Sequence, residues 1–150
     1  MEAHFVHFLE GYDETTAGKV RRGIVVVAVM LQVDNKEDAL QSLEDAIAAT
    51  NSSDKKVELH EYSPSVMLPN DTTTFFRYEG EYCSLTTPPC TEGVIWIILA
   101  EPRSVMEEEL NFLRQHITTE GKRLEHNFRE VQPLNGRTVY LNRELKEKLG

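Results

Sequence analysis

Two apolar segments constrain the fold of this chain more than any other feature. Residues 23–33 read GIVVVAVMLQV and residues 94–100 read VIWIILA, and both are rich in β-branched side chains. A strand that is apolar on both faces must be covered on both faces, so these segments predict buried central strands. The longest apolar run, 23–31, is well short of the ~20 residues that span a bilayer, so no transmembrane segment is expected. A chain of 150 residues is long enough for one globular domain around such strands.

Shorter segments predict the rest of the sheet. Residues 3–9 (AHFVHFL) combine aromatic and β-branched side chains, and they are expected to lie in the centre of the sheet with the two apolar segments. Three further strands are predicted at residues 55–62, 72–80 and 136–142. These segments together predict a mainly β (α+β) fold, with a twisted, largely antiparallel central sheet and peripheral helices.

Two segments with helical periodicity are expected to pack outside the sheet. Asn35 is an N-cap candidate for residues 36–50, in which apolar side chains recur on one helical face. Ser104 and Glu107 have the spacing of a capping box at the start of a second helix, residues 105–116.

The charge of the chain argues against a nucleic-acid partner. Its 16 lysine and arginine residues are scattered among 25 aspartate and glutamate residues, which gives a net charge of −9. Phosphate binding needs clustered cations, so no nucleic-acid surface is expected. The sequence leaves protein partners and oligomeric state open.

The cysteines and the glycosylation sequons bear on the cellular compartment. Cys83 and Cys90 are the only cysteines, and their spacing fits buried thiols, a short-loop disulfide or pairing with cysteines elsewhere. Asn51 and Asn70 each begin an N-glycosylation sequon, which agrees mildly with a secretory setting. Residues 1–14 lack the basic and small-residue features of a signal peptide.

The histidines do not form a recognisable metal motif. None of the five lies in a His-x-His pair or another dense ligand cluster, although a catalytic zinc normally has three protein ligands. Side chains alternate between the faces of a strand, so His4 and His7 cannot bind one metal together. Glu2 shares the face of His4 and could orient its imidazole. Each histidine taken alone is expected to be an ordinary surface or partly buried side chain.

A polar turn stiffened by two prolines runs into the apolar strand at residues 94–100. Val94 and Trp96 are two residues apart and line one face, and Leu85 could extend the same apolar surface. Thr86 and Thr87 would then place hydroxyl groups at its rim. Such a wall suits a small, weakly polar substrate, although most such walls are simply core.

The same turn resembles a family signature. SLTTPPCTEGVIW (residues 84–96) is similar to the signature of the α-class carbonic anhydrases. Four more segments agree with that family: EAHFVHF (2–8), GIVVVAVMLQV (23–33), YSPSVMLP (62–69) and NFREVQPLNGR (127–137). The resemblance covers nearly all 150 residues but only the C-terminal part of the family domain. It therefore implies a partial carbonic anhydrase domain over residues 1–150, with a sheet incomplete at its N-terminal side.

The resemblance implies a role for each residue that matches the motif. His4 matches the third zinc ligand, and Glu2 matches the carboxylate that orients it. Thr86 matches the catalytic threonine that accepts a hydrogen bond from zinc-bound hydroxide. Thr87 matches its neighbour in the substrate cavity. The apolar carbon dioxide pocket would be lined by Val6, Val26, Leu85, Val94 and Trp96.

The resemblance implies a lyase activity, the reversible hydration of carbon dioxide to bicarbonate. In this reaction zinc activates a bound water, and carbonic anhydrase is the standard example of that chemistry. The family's His-x-His ligands and its proton-shuttle histidine have no match in this sequence. One imidazole does not hold a catalytic zinc, so the chain alone is expected to bind zinc weakly and to be inactive. Whether the chain is itself an enzyme is left open. The alternative is a non-catalytic, carbonic-anhydrase-related module for binding or adhesion.

Two departures from the family pattern fall near the signature. Residues 81–83 (EYC) stand where the family joins Gly80 directly to Ser84, so they could displace Thr86 or be absorbed as a bulge. Cys90 matches a position that pairs with an N-terminal cysteine in secreted members, which slightly favours an extracellular origin. That partner cysteine has no match here, so we predict a free thiol at Cys90.

Overall fold

The computed structural model describes residues 1–34, 36–80, 84–87, 91–124 and 126–143. The chain divides into two compact units, which are described separately. The sheet unit consists of residues 2–30, 69–102 and 129–150, and the helical unit consists of residue 1 with residues 31–68 and 103–128. The predicted insertion at residues 81–83, both cysteines, the two prolines of the signature and Asn35 lie outside the described residues.

Six strands and two α-helices are found in the described residues. The strands are β1 (Glu2–Phe8), β2 (Ile24–Val33), β3 (Phe75–Gly80), β4 (Val94–Leu99), β5 (Arg103–Val105) and β6 (Tyr140–Asn142). The helices are α1 (Glu44–Ala49) and α2 (Glu107–Arg114). The mainly β fold class is therefore confirmed.

The sheet is mixed, with the strand order β1-β2-β4-β3-β6 and β5 paired to the end of β2. Three pairings are antiparallel (β1 with β2, β3 with β4, β3 with β6), and β2 pairs in parallel with β4 and β5. The apolar segments predicted to be central form β2 and β4, which lie inside the sheet. The prediction of a central position for residues 3–9 is wrong for the part of the sheet that the structure describes, because β1 pairs there only with β2.

The register aligns one row of side chains across four strands. Val6 of β1 is paired with Val26 of β2, Val26 with Trp96 of β4, and Trp96 with Tyr78 of β3. Paired residues share a face of the sheet, so all four side chains lie on one face, which we call the site face. His4 lies on the site face in the next row, opposite Ala28.

The site face holds the core of the sheet unit. Val94 and Trp96 belong to one buried cluster, which confirms that they share a face. Burying a side chain of this size contributes ~1.5–3 kcal/mol to folding, so this cluster is a main source of the unit's stability. Its buried members are Ala17, Ile24, Val26, Ala28, Val94 and Trp96, with Tyr78, Leu85 and Ile98 packed against them.

The first helix is shorter than the sequence predicts. A 3₁₀ turn at Gln41–Leu43 leads into α1, which ends at Ala49, so the helix predicted for residues 36–50 is wrong in its first half. The Asp38 carboxylate accepts a hydrogen bond from the backbone N–H of Leu40 at 3.0 Å. This local side-chain bond competes with helix formation and delays the helix.

The second helix begins later than predicted, and the capping box is absent. Ser104 is paired with Gln32 in β5 and is therefore extended, so it cannot cap α2. Met106 occupies the N-cap position without a side-chain hydrogen bond. Glu107 and Glu108 instead place negative charge in the first turn, where the helix dipole favours it.

The strand predicted at residues 55–62 does not form in the described structure. Residues 55–60 are exposed, and Glu61 adopts a positive φ of 59°, which interrupts an extended backbone. An alternating pattern produces a strand only where a neighbouring strand supplies hydrogen bonds. The strand predicted at 72–80 is confirmed as β3, and the one predicted at 136–142 is confined to β6.

Candidate functional site

His4 and Glu2 lie side by side on the site face of β1. Nε2 of His4 is 3.3 Å from Oε1 of Glu2, and the His4 side chain is 22% exposed. This contact has the distance of an ion pair but not the geometry of a hydrogen bond. Nε2 is therefore a buried polar atom without a hydrogen-bond partner among the described residues. Such an atom calls for a physical explanation, because native proteins satisfy most of their buried polar groups.

Trp96 packs against the His4 ring. The two rings are nearly perpendicular, with centroids 5.1 Å apart and an interplanar angle of 78°. Tyr78 stacks on the indole at 6.3 Å with an angle of 7°. The indole Nε1–H donates a hydrogen bond to Oγ of Ser84 at 2.9 Å. Both ring geometries are favoured for aromatic pairs, so the orientation of Trp96 is well determined.

The turn at residues 84–87 is joined to its neighbours by backbone and side-chain hydrogen bonds. The N–H of Ser84 donates to the carbonyl oxygen of Thr91 at 3.0 Å. Nη1 of Arg129 donates to the carbonyl oxygen of Leu85 at 3.2 Å. These bonds fix the backbone immediately before Thr86, which is exposed.

A cavity of about 340 Å³ lies over the site face. Its lining is more apolar than polar, as is usual for small-molecule sites. On the sheet side it includes Glu2, Ser84, Thr86 and Trp96, and residues between 129 and 139 form the opposite wall. The cavity thus brings together Glu2, Thr86 and Trp96, three of the residues that the sequence singled out.

Tyr78 and Arg137 link this C-terminal wall to the sheet. The Arg137 guanidinium lies 5.4 Å from the centre of the Tyr78 ring, a cation–π distance. Burial raises the pKa of the Tyr78 hydroxyl, Arg137 opposes this shift, and Glu2 adds to it. The Tyr78 hydroxyl therefore stays protonated at neutral pH.

The other predicted pocket residues divide into buried and exposed groups. Val26, Val94 and Trp96 are buried in one cluster, with Leu85 packed against it. Val6 lies in the same row of the sheet but is 51% exposed. Thr87 is exposed next to Thr86. Of these pocket residues only Trp96 also lines the cavity.

Sequence reasoning missed two residues of this site. Ser84 begins the signature segment, and its position there is the signal that could have identified it. Tyr78 was predicted only as part of a strand. Its pairing with Trp96 depends on the register between β3 and β4, which no local pattern reveals.

The described residues do not make a complete zinc site. No group of three histidine, cysteine, aspartate or glutamate side chains suited to a metal is found among them. His7 points to the opposite face, where its Nδ1 lies 3.0 Å from the carbonyl oxygen of Phe5. His4 is therefore a single candidate ligand with an available nitrogen, which is too few donors for zinc by itself.

Comparison with known proteins identifies the family. Residues 1–143 match the family of eukaryotic-type carbonic anhydrases. The chain belongs to this family. The carbonic anhydrase resemblance of the signature segment is thereby confirmed over most of the chain.

Several curated carbonic anhydrases are similar to the chain. It is 39% identical over 140 residues to putative carbonic anhydrase 5 of Caenorhabditis elegans. It is 35% identical to carbonic anhydrase 1 of Oryctolagus cuniculus and to mitochondrial carbonic anhydrase 5B of Homo sapiens. Each match covers 92% of this chain but only 44%, 60% and 44% of the respective relative. The chain thus spans about half the length of these carbonic anhydrases.

The comparisons bear on location only in part. Human carbonic anhydrases 5A and 5B, both similar to this chain, are named as mitochondrial. The slight preference for a secreted origin, drawn from Cys90 and the sequons, finds no support in these names. No helix within the described residues is long and apolar enough to cross a membrane.

Proposed function

We propose that this chain supplies one zinc ligand and the substrate wall of a carbon dioxide hydration site, and that it is inactive by itself. The observation that supports this role most directly is the contact of His4 Nε2 with Glu2 at 3.3 Å. A ligating histidine usually turns one ring nitrogen to a carboxylate and binds the metal through the other, so Nδ1 of His4 is the nitrogen left for a metal. Membership of the carbonic anhydrase family supports zinc as the metal, with carbon dioxide and bicarbonate as the reactants.

Each site residue has a role within this proposal. Glu2 holds the imidazole of His4 in position, as outer carboxylates do for ligating histidines. The Thr86 hydroxyl orients the attacking oxygen at the edge of the cavity. Carbon dioxide is small and weakly polar, so it suits the mainly apolar cavity that Trp96 lines. We assign Val6, Val26, Leu85, Thr87 and Val94 to the same substrate pocket on the family resemblance alone. When bound, the metal would supply Lewis-acid activation of water.

The ligand count leads to the second half of the proposal. Catalytic zinc sites use three protein ligands, and the described residues offer only His4 at this place. The remaining donors must therefore come from outside the described residues. Without them zinc is held weakly, and the cavity has no activated water to present to carbon dioxide.

A non-catalytic module is the second candidate function. The single candidate ligand favours it, because a module kept for binding or adhesion has no need of a complete metal site. The two candidates differ in what happens when the missing donors are supplied. If the chain is part of an enzyme, supplying the missing donors gives tight zinc binding that depends on His4. If the chain is a non-catalytic module, it does not gain such binding.

Zinc retention after complementation separates the candidates. The chain is mixed with the part of the Caenorhabditis elegans relative that lies outside the match, incubated with zinc and passed over a desalting column. The proposal expects about one zinc per complex, retained by His7→Ala and lost by His4→Ala. His7 is the matched control because it lies on the same strand but on the opposite face. A complex that forms but retains no zinc would favour the module.

A further inference from the structure

The hydroxyl group of Ser84 packs closely between Trp96 and Gly80. Its Oγ accepts the indole N–H of Trp96 at 2.9 Å. On another side it lies directly over Gly80, where an added β-carbon would overlap Oγ. The N–H of Gly93 donates to the Gly80 carbonyl at 2.8 Å, which fixes the backbone of Gly80 next to the start of β4. The site thus has room for this hydroxyl because residue 80 has no side chain.

Ser84 connects two parts of the site that come from different elements. It lies two residues before Thr86 in the turn, and its hydroxyl reaches Trp96 on β4. The indole of Trp96 in turn packs nearly perpendicular to the His4 ring, with ring centroids 5.1 Å apart. One hydrogen bond therefore joins the turn that bears Thr86 to the indole that packs against His4.

We propose that Ser84 is a positioning residue that orients His4 through Trp96 and holds the Thr86 turn in register with it. The inference rests on the proposed function of His4 and adds a residue to it. Ser84 touches neither a substrate nor a metal in this scheme. Its effect is transmitted because an edge-on ring pair keeps its geometry only while the indole cannot rotate.

The alternative positions of the indole explain why one hydroxyl matters. Tyr78 stacks on the indole face and resists tilting, but stacking permits sliding and rotation within the ring plane. The bond to Ser84 removes this remaining freedom. Without this hydrogen bond the partly buried indole N–H has no acceptor, so a rotation of the indole that brings the N–H to another acceptor becomes favourable. The His4 ring would then lose its fixed contact.

Nuclear magnetic resonance tests this series of contacts and requires neither zinc nor an activity assay. Trp96 is the only tryptophan, so the protein gives a single indole N–H signal. In Ser84→Ala we expect that signal to move upfield and to exchange with deuterium about five- to tenfold faster, as for one lost hydrogen bond. The ring signals of His4, assigned by their disappearance in His4→Gln, should shift as well. Ser84→Thr keeps the hydroxyl and should restore both signals toward the wild-type positions.

Two further variants make the outcome decisive. Gly80→Ala displaces the Ser84 hydroxyl without removing it, so it should shift the same His4 signals. This variant replaces Ser84→Ala in the test if Ser84→Ala does not fold. Ser63→Ala is the matched control, since the Ser63 hydroxyl is exposed and bonds only to Ser65 among the described residues. Unchanged His4 signals in folded Ser84→Ala and Gly80→Ala would overturn the inference. Failure of zinc retention after complementation would instead count against the proposed function and leave this result standing.

Discussion

Nε2 of His4 lies 3.3 Å from Oε1 of Glu2, and the imidazole ring packs nearly perpendicular to the indole of Trp96. Glu2, on the same strand, and Trp96, on β4, are therefore the neighbours that orient this histidine. We propose that this arrangement leaves the other ring nitrogen, Nδ1, to bind a metal. Because the chain belongs to the carbonic anhydrase family, the proposed metal is zinc.

The valines paired across β1 and β2 allow a matched test of the apolar wall. Val26 is 1% exposed and Val6 is 51% exposed, although they face each other on the same side of the sheet. We expect Val26→Ala to destabilise the sheet unit by roughly 2 kcal/mol, because it leaves a cavity in the core. Val6→Ala should cost less than about 1 kcal/mol. Urea unfolding followed by Trp96 fluorescence reports on this unit, and equal losses for the two variants would show that the wall is not packed as described.

Glu109 gives the helical unit a stability that falls with rising pH. Its side chain is buried, and Oε2 has no hydrogen-bond partner in the described structure. Burial raises the pKa of Glu109 above 4.5, and the carboxylates of Asp38, Glu44 and Glu108 raise it further. The folded state therefore holds this proton more tightly than the unfolded state. Stability is full below the unfolded pKa and is lost as pH rises through the folded pKa.

The corresponding variant is Glu109→Gln. It keeps the shape of the side chain but removes the charge, so we expect it to stabilise the protein by about 1 kcal/mol at pH 7 and to flatten the pH dependence above pH 4.5. Glu108→Gln is the control, because Glu108 is an exposed neighbour on the same helix. Thermal unfolding followed by circular dichroism measures both. A less stable Glu109→Gln at pH 7 would contradict the assignment of a buried, strained carboxylate.

Asp13 has the opposite pH behaviour in the loop before β2. Its Oδ1 accepts hydrogen bonds from the backbone N–H and hydroxyl groups of Thr15 and Thr16, at 2.7 to 2.9 Å. The hydroxyl bonds are the main reason that its pKa falls from 3.8 to about 2. A lowered pKa gives stability that is present above pH 3.8 and is lost as pH falls toward 2.

Asp13→Ala should therefore lower the melting temperature by a few degrees at pH 6, and the difference from wild type should shrink as pH falls from 3.8 to about 2. Glu14→Ala changes the neighbouring exposed carboxylate and provides the comparison. Differential scanning calorimetry across this pH range measures both variants. A difference that stays constant down to pH 2 would show that the loop bonds do not depend on the ionised carboxylate.

The sequence predicted those parts of the fold that depend on local hydrophobic pattern. The apolar segments that form β2 and β4 were recognised because continuous burial leaves a continuous apolar run. The failures occurred where a partner decides the outcome. Residues 55–62 alternate like a strand but have no strand neighbour in the described structure, and Ser104 has a capping spacing but is paired with Gln32 in β5.

The candidate site likewise contains residues that the local sequence pattern predicted and residues that it did not. His4 and Glu2 could be placed on one face from alternation alone, and the signature segment indicated Thr86. Ser84 and Tyr78 were missed, because their contacts with Trp96 arise from a turn that folds back and from the register of two strands. These relationships join residues that are 12 and 18 positions apart, beyond the reach of a local pattern.

Carbon dioxide hydration measured by stopped flow tests the central claim most directly. The purified 150-residue chain, with zinc added, is compared with the complex formed with the unmatched part of the worm relative, each with His4→Ala and His7→Ala variants. We expect no hydration above buffer for the chain alone, hydration by the complex, its loss in His4→Ala and its retention in His7→Ala. Clear turnover by the chain alone that His4→Ala removes would contradict the proposed function, because it would mean that these 150 residues supply all the zinc ligands.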